Sequence, residues 1–220
     1  DGMTISFHHH LRNGDAVLNM VMESIETLGI KDIHLAASGI FPCHEPLVKL
    51  MENQAVTTIT TSTFNPGPVP TAISKGILKN PVRLMSHGGR ARAIEQNELH
   101  IDIAFIAAPC CDPAGNMNGT EGPSACGYLS YAYTDAQYAD KVVAITDHIV
   151  DYPACPIEIR ETNVDYVVVV DSIGNPNGIV SGSTKITSDP VRLKIADETA
   201  ALIDELGFIK NGLSFQTGAS

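Results

Sequence analysis

Basic and amide side chains crowd one short stretch of this chain: Asp1 to Asp15 reads DGMTISFHHHLRNGD. His8, His9, His10, Arg12 and Asn13 follow a run in which Met3, Ile5 and Phe7 alternate with Thr4 and Ser6. Such alternation predicts a strand that ends at the histidines, with a helix entered at Asp15. In open α/β sheets the loops at the carboxyl ends of strands bind ligands. Imidazoles, a guanidinium and the N–H groups of a helix start together suit a small anion. Three readings stay open: anion or acyl-group binding, a metal on alternate histidines, or a solvated polar loop. The carboxylates that a metallohydrolase would add are missing, so no metal is expected.

Two further constellations share this logic. His87-Gly88-Gly89-Arg90-Ala91-Arg92 sets a glycine pair at a strand-to-helix turn. Glycines there let backbone approach a phosphate or carboxylate, with Arg90 and the helix start adding positive potential. The same pair also occurs at such turns for conformational reasons alone. Asp112-Pro-Ala-Gly-Asn116 follows an apolar run. Asp112, Gly115 and Asn116 are candidates for holding the loop or reaching a carbonyl oxygen, and D-P-x-G-N is equally good turn chemistry.

The elements that must position these groups alternate strand with helix. Helices are expected near 15–28, 45–53, 71–78, 87–97 and 189–206, and strands near 32–37, 56–60, 82–86, 101–108, 141–146 and 165–170. Asp189 or Ser188 caps the last helix, Pro190 lies in its first turn and Gly207 just past its end. Its stripe of Val191, Ile195, Thr199, Leu202, Ile203 and Leu206 should face a core. Asp165-Tyr-Val-Val-Val-Val is wholly apolar and is expected at the centre of the sheet. The Pro-rich run Phe64 to Pro70 reads as a rigid loop. Pro109 to Gly127 is a long Gly-rich loop of the functional kind, and the turn-rich segment 174–183 could approach a ligand. Together these predict an α/β fold: an open, mostly parallel sheet with helices on both faces, in three layers.

Bulk properties narrow the function. The 220 residues are 44% hydrophobic and 18% charged, as in a globular chain. The net charge of −11 argues against nucleic-acid binding. No apolar run approaches the ~18 residues of a membrane helix, and no signal peptide is visible, so a cytoplasmic protein is expected. Five cysteines without paired spacing are expected to be reduced thiols. Asn211 to Ser220, NGLSFQTGAS, repeats the opening in outline, as though a second unit were beginning.

Several of these runs carry a family resemblance. IDIAFIAAPCCDPAGNMNG and YADKVVAITDHIVDYP resemble coenzyme A transferases. FHHHLRNGD in place of their glycine-rich first turn, with SHGGR and GFIKNGLSFQTG, is similar to the alpha chains of citrate lyase. The resemblance covers the whole chain. It implies a first coenzyme A transferase-like domain over 1–188, then a linking helix and the opening strand of a second domain over 189–220. It also implies a transferase exchanging citrate for acetate on an acyl-carrier thioester. Citrate and acetate would then be its small ligands, and the thioester of a coenzyme A-like group on a carrier subunit its co-substrate. No permanently bound cofactor is implied. Carrier and lyase subunits would be its partners in an oligomer, and the excised piece would be inactive alone. Citrate-binding candidates are His8, His9, Arg12, Asn13, His87, Gly88, Gly89 and Arg90, with Thr217 and Gly218 opening the second glycine-rich turn. The alternatives are a sugar-phosphate isomerase on the same architecture, or a non-catalytic binding or assembly half-module.

Overall fold

The computed structural model describes residues 1–8, 10–179 and 187–214. His9, Thr217 and Gly218 lie outside the described residues, as does part of the 174–183 turn segment. The strands are β1 (Thr4–His8), β2 (Ile33–Ala37), β3 (Val56–Thr61), β4 (Arg83–Leu84), β5 (Ile103–Ala108), β6 (Cys110–Cys111), β7 (Met117–Asn118), β8 (Lys141–Thr146) and β9 (Tyr166–Val169). The helices are α1 (Val17–Thr27), α2 (Leu47–Glu52), α3 (Pro68–Ser74), α4 (His87–Glu95), α5 (Tyr131–Tyr138) and α6 (Pro190–Glu205).

Seven strands form one sheet in the order β4-β3-β2-β1-β5-β8-β9, and every pair in it is parallel. The order turns around between β1 and β5, so the crevice of an open α/β sheet falls at their carboxyl ends. Strand alternation sorts the core into two layers. Ile5, Phe7, Leu35 and Ile59 pack with α1, α2 and α3 on one face. Ala36, Ala104, Ile106 and Ala144 pack with α4 and α5 on the other. Phe7 stacks on Phe105 at 5.4 Å, joining β1 to β5 across the turnaround. This is the three-layer α/β fold that the alternating pattern predicts.

Four expectations change. The apolar strand β9 lies at an edge, not the centre, and Tyr166, Val168 and Val169 are exposed. Strand order follows the crossovers, and the last strand adds outside β8. Helix α3 starts at Pro68, inside the supposed Pro-rich loop, because proline is tolerated in a first helical turn. Within the long loop, β6 and β7 pair as a small antiparallel hairpin. Helix α6 has the expected Asp189 cap, whose carboxylate accepts from the Val191 N–H at 2.8 Å. None of its residues is buried, so its stripe does not face a core.

Two units are distinguishable, Asp1–Ile179 and Val180–Ser220. No helix among the described residues is long and apolar enough to cross a membrane.

Candidate functional site

Three elements deliver side chains to one place at the carboxyl rim of the sheet. Ser6 and His8 share a face of β1, opposite Ile5 and Phe7. Helices α4 and α5 each precede a sheet strand (β5 and β8), so both run against the strands and begin at this rim. The His8 and Tyr131 rings lie 6.0 Å apart between centroids. His87, first residue of α4, is 5.0 Å from the same Tyr131 ring. His10 is 6.1 Å from His8 and buried. The turns that begin near His8 and His87 therefore meet around Tyr131.

The start of α4 is open. Ser86 caps it, its Oγ accepting from the Gly89 N–H at 3.1 Å. A Cβ at Gly88 would meet nothing within 4 Å, so space lies before this N-terminus. His87 and Gly88 are exposed and Gly89 partly so. Arg90 goes inward instead. Its guanidinium grips both oxygens of Asp135 at 2.7 and 2.8 Å and donates to the Ala36 carbonyl at 3.1 Å. Both partners are almost fully buried, so Arg90 pins α4 to α5 and β2 beneath the rim.

The first turn is held from below. Arg12 is left-handed at φ 52, and both Arg12 and Asn13 are exposed. The Asn13 Oδ1 accepts from the Cys43 N–H at 3.0 Å. His44 Nδ1 accepts from the Phe41 N–H at 3.0 Å, which assigns the proton to Nε2. That nitrogen donates to Asp15 Oδ2 at 3.2 Å, and the same oxygen caps α1 through the Leu18 N–H. Asn175 N–H donates to the Gly14 carbonyl at 2.8 Å. A Cβ at Gly14 would fall 2.2 Å from the Asn175 oxygen, so only glycine allows this approach. The segment around 174–178 thus braces the turn.

The Asp112 loop is closed on itself. One Asp112 oxygen accepts from the N–H groups of Ala114, Gly115 and Asn116. The other accepts from the Asn116 amide at 2.8 Å and the Ala154 N–H at 3.0 Å. Burial opposes ionisation, yet these donors, Ala154 and Asn116 foremost, hold the carboxyl below its ordinary pKa. Asn116 also donates to Glu161 and accepts from its N–H. Asp112 and Asn116 therefore fasten the β6–β7 turn to the segments after β8. A Cβ at Gly115 would collide with Val164 at 2.9 Å.

All five cysteines are free: Cys110 and Cys111 are buried, Cys43 and Cys126 half-buried, Cys155 exposed. Burial pushes the Cys111 thiol up to about 12 and Cys43 up to about 11, which makes neither a nucleophile at neutral pH. Among the described residues, one cluster could hold a cation: His100, Asp102 and Asp140, largely exposed and next to the starts of β5 and β8, away from the rim.

Tyr131 and Asp135 were not legible as site residues. Tyr131 carries no charge and follows a loop, and the pairing of Arg90 with Asp135 spans 45 positions.

Comparison with known proteins gives the family. A crystal structure described as the alpha subunit of citrate lyase from Streptococcus mutans, in complex with citrate, matches with TM-score 0.89 and 53% identity, over 100% of this chain and 43% of that one. Glutaconate coenzyme A-transferase from Acidaminococcus fermentans has TM-score 0.55 at 15% identity, over 97% of this chain and 86% of that one, a likeness of fold alone. The citrate lyase alpha chain of Haemophilus influenzae is 46% identical over 219 residues, 100% of this chain and 44% of the relative. The chain spans less than half the length of the curated relatives it matches. The family model "Citrate lyase, alpha subunit (CitF)" matches residues 1–220, and the chain belongs to that family.

Proposed function

We propose that the rim around Tyr131 is one side of a citrate site in a transferase that exchanges citrate for acetate on an acyl-carrier thioester. The supporting observation is the meeting of His8 and His87 on one ring at the turnaround of the sheet, in a chain of this family. The citrate complex of the Streptococcus mutans relative adds to it. On this reading His8, His9, Arg12, Asn13, His87 and the N–H of Gly88 face the three carboxylates, and Gly89, whose N–H is held by Ser86, keeps the turn. Arg90 holds their frame. Residues 1–188 are then the first of two α/β domains, and 189–220 link to the second, whose glycine-rich turn opens at Thr217 and Gly218. The carrier and lyase subunits are its partners.

The chemistry needs no proton removed from the nucleophile. A citrate carboxylate oxygen attacks the acetyl carbonyl, and the tetrahedral oxyanion expels the carrier thiolate to leave a mixed anhydride. The thiolate then attacks the citryl carbonyl and acetate departs. Catalysis rests on positioning and on donors aimed at the two oxyanions. Exchange of labelled citrate into the carrier thioester, assayed with the chain joined to the remainder of its protein, tests this. Failure to exchange sinks it. A half-module that binds citrate without turnover is the second reading. It predicts citrate binding and no exchange by the chain joined to the remainder of its protein.

A further inference from the structure

We propose that Tyr131 is a positioning residue of this citrate site: its ring is the common surface against which His8 and His87 are set. This rests on the citrate reading above and adds to it the residue that organises the two imidazoles. The argument begins with distance. Both imidazole centroids are within 6.0 Å of the Tyr131 centroid, His8 tilted at 55° and His87 at 42° to its plane, inside the spacing of ring–ring contacts.

The placement is built from below. His87 lies three residues before Arg90, and Tyr131 four before Asp135, so each occupies the same helix face as its buried neighbour, one turn nearer the rim. The bidentate Arg90–Asp135 pair fixes the two helices in register. On β1, Ser6 sits two residues before His8 on the same face and is fully buried. Its small side chain lets α5 come close. Immediately before Tyr131, Ser130 is held at φ 46 and ψ −105, a conformation that costs about 1–3 kcal/mol for a residue with a Cβ. Strain of this kind is kept where surrounding contacts demand one geometry.

The charges around the ring agree. The groups set around it are His8 at the end of β1 and His87 and Arg90 from α4, with His10, just past β1, 6.1 Å from His8 and Asp135 one turn along its own helix. Burial raises the Tyr131 pKa, with Arg90 acting the other way, so the phenol stays protonated and the ring uncharged near neutral pH.

Citrate titrations of the chain joined to the remainder of its protein test this. Tyr131→Leu should lose about two- to fivefold in affinity, the worth of the lost ring contacts. Tyr131→Phe, which keeps the ring, should recover most of it. If the leucine variant does not fold, Tyr131→Met carries the same expectation. In the ligand-free protein, the His8 and His87 imidazole proton resonances should carry a ring-current shift that the leucine or methionine variant removes. Unchanged affinity in Tyr131→Leu, or imidazole resonances that do not move, overturns the role of Tyr131 and leaves the citrate reading standing. A wild-type full-length protein that shows the ring-current shift and binds no citrate overturns the citrate reading, and the role of Tyr131 falls with it.

Discussion

The rim around Tyr131 and the Asp112 loop hold similar numbers of polar groups and use them in opposite ways. In the loop, all five hydrogen bonds to the Asp112 carboxylate come from within the fold, and Asn116 is engaged through both ends of its amide. At the rim, His87 and Gly88 are exposed and the space before Gly88 is clear. Buried polar groups are satisfied by their neighbours as a rule. A loop rich in Asp, Asn and Gly is thus as well suited to fastening as to catalysis. The distinction between the two regions is where the donors point, and that yields graded expectations.

The largest effect should come from the pin beneath the rim. Arg90→Ala or Asp135→Ala leaves one buried charge unpaired and should cost about 3–5 kcal/mol in urea unfolding. The double change Arg90→Met with Asp135→Leu should cost much less, because no charge is left stranded. A double variant as unstable as either single one would mean the pair does more than fasten α4 to α5.

Next comes the closed loop. Asp112→Ala strands several buried N–H donors and should cost about 2–4 kcal/mol. The folded pKa of Asp112 lies below its unfolded value. Its contribution is therefore full above about pH 5 and lost as the pH falls through the folded pKa, below about 4. Stability measured down that range should drop more steeply in wild type than in Asp112→Asn. Parallel curves would place the carboxylate outside the loop's energetics. The rim should respond differently. His87→Ala should weaken citrate binding by about 1 kcal/mol near pH 6.5 and leave the melting temperature almost unchanged, since the side chain is exposed. A large loss of stability there would erase the contrast between the two regions.

Much of the frame was legible because it depends on local pattern. Lys141–Thr146 and Val56–Thr61 are strands within a residue of the expected ranges, both rich in β-branched side chains. The Asp189 cap and the Gly207 stop of α6 need no tertiary information. The edge position of β9 was hidden, because an apolar run reports that a strand can be covered and not what covers it. The destination of Arg90 was hidden for a related reason. Beside two glycines at a helix start, an arginine reads as an anion ligand, and only the packing of α5 against α4 supplies Asp135. Tyr131 gave no signal, since its role comes from what surrounds it. The place of His87 and Gly88 at a helix start was legible because a glycine pair between a strand and a helix is a local motif.

The smallest expected effect concerns the strain beside the ring. Leu129 C=O accepts from the Ala132 N–H at 3.0 Å, closing a four-residue turn with Ser130 second. The φ of 46 and ψ of −105 at Ser130 are those of the second residue of a type II′ turn, the position glycine favours. Ser130→Gly relieves the Cβ and should stabilise the fold by about 0.5–1 kcal/mol, less whatever freedom the glycine adds to the unfolded chain. No comparable gain is available from a glycine inside the Asp112 loop, where Gly115 already takes φ 106. If Ser130→Gly also loosens citrate binding, the strain was holding Tyr131 in place. If affinity is unchanged while stability rises, the Arg90–Asp135 pin alone sets the ring, and the strain is a by-product of closing the turn.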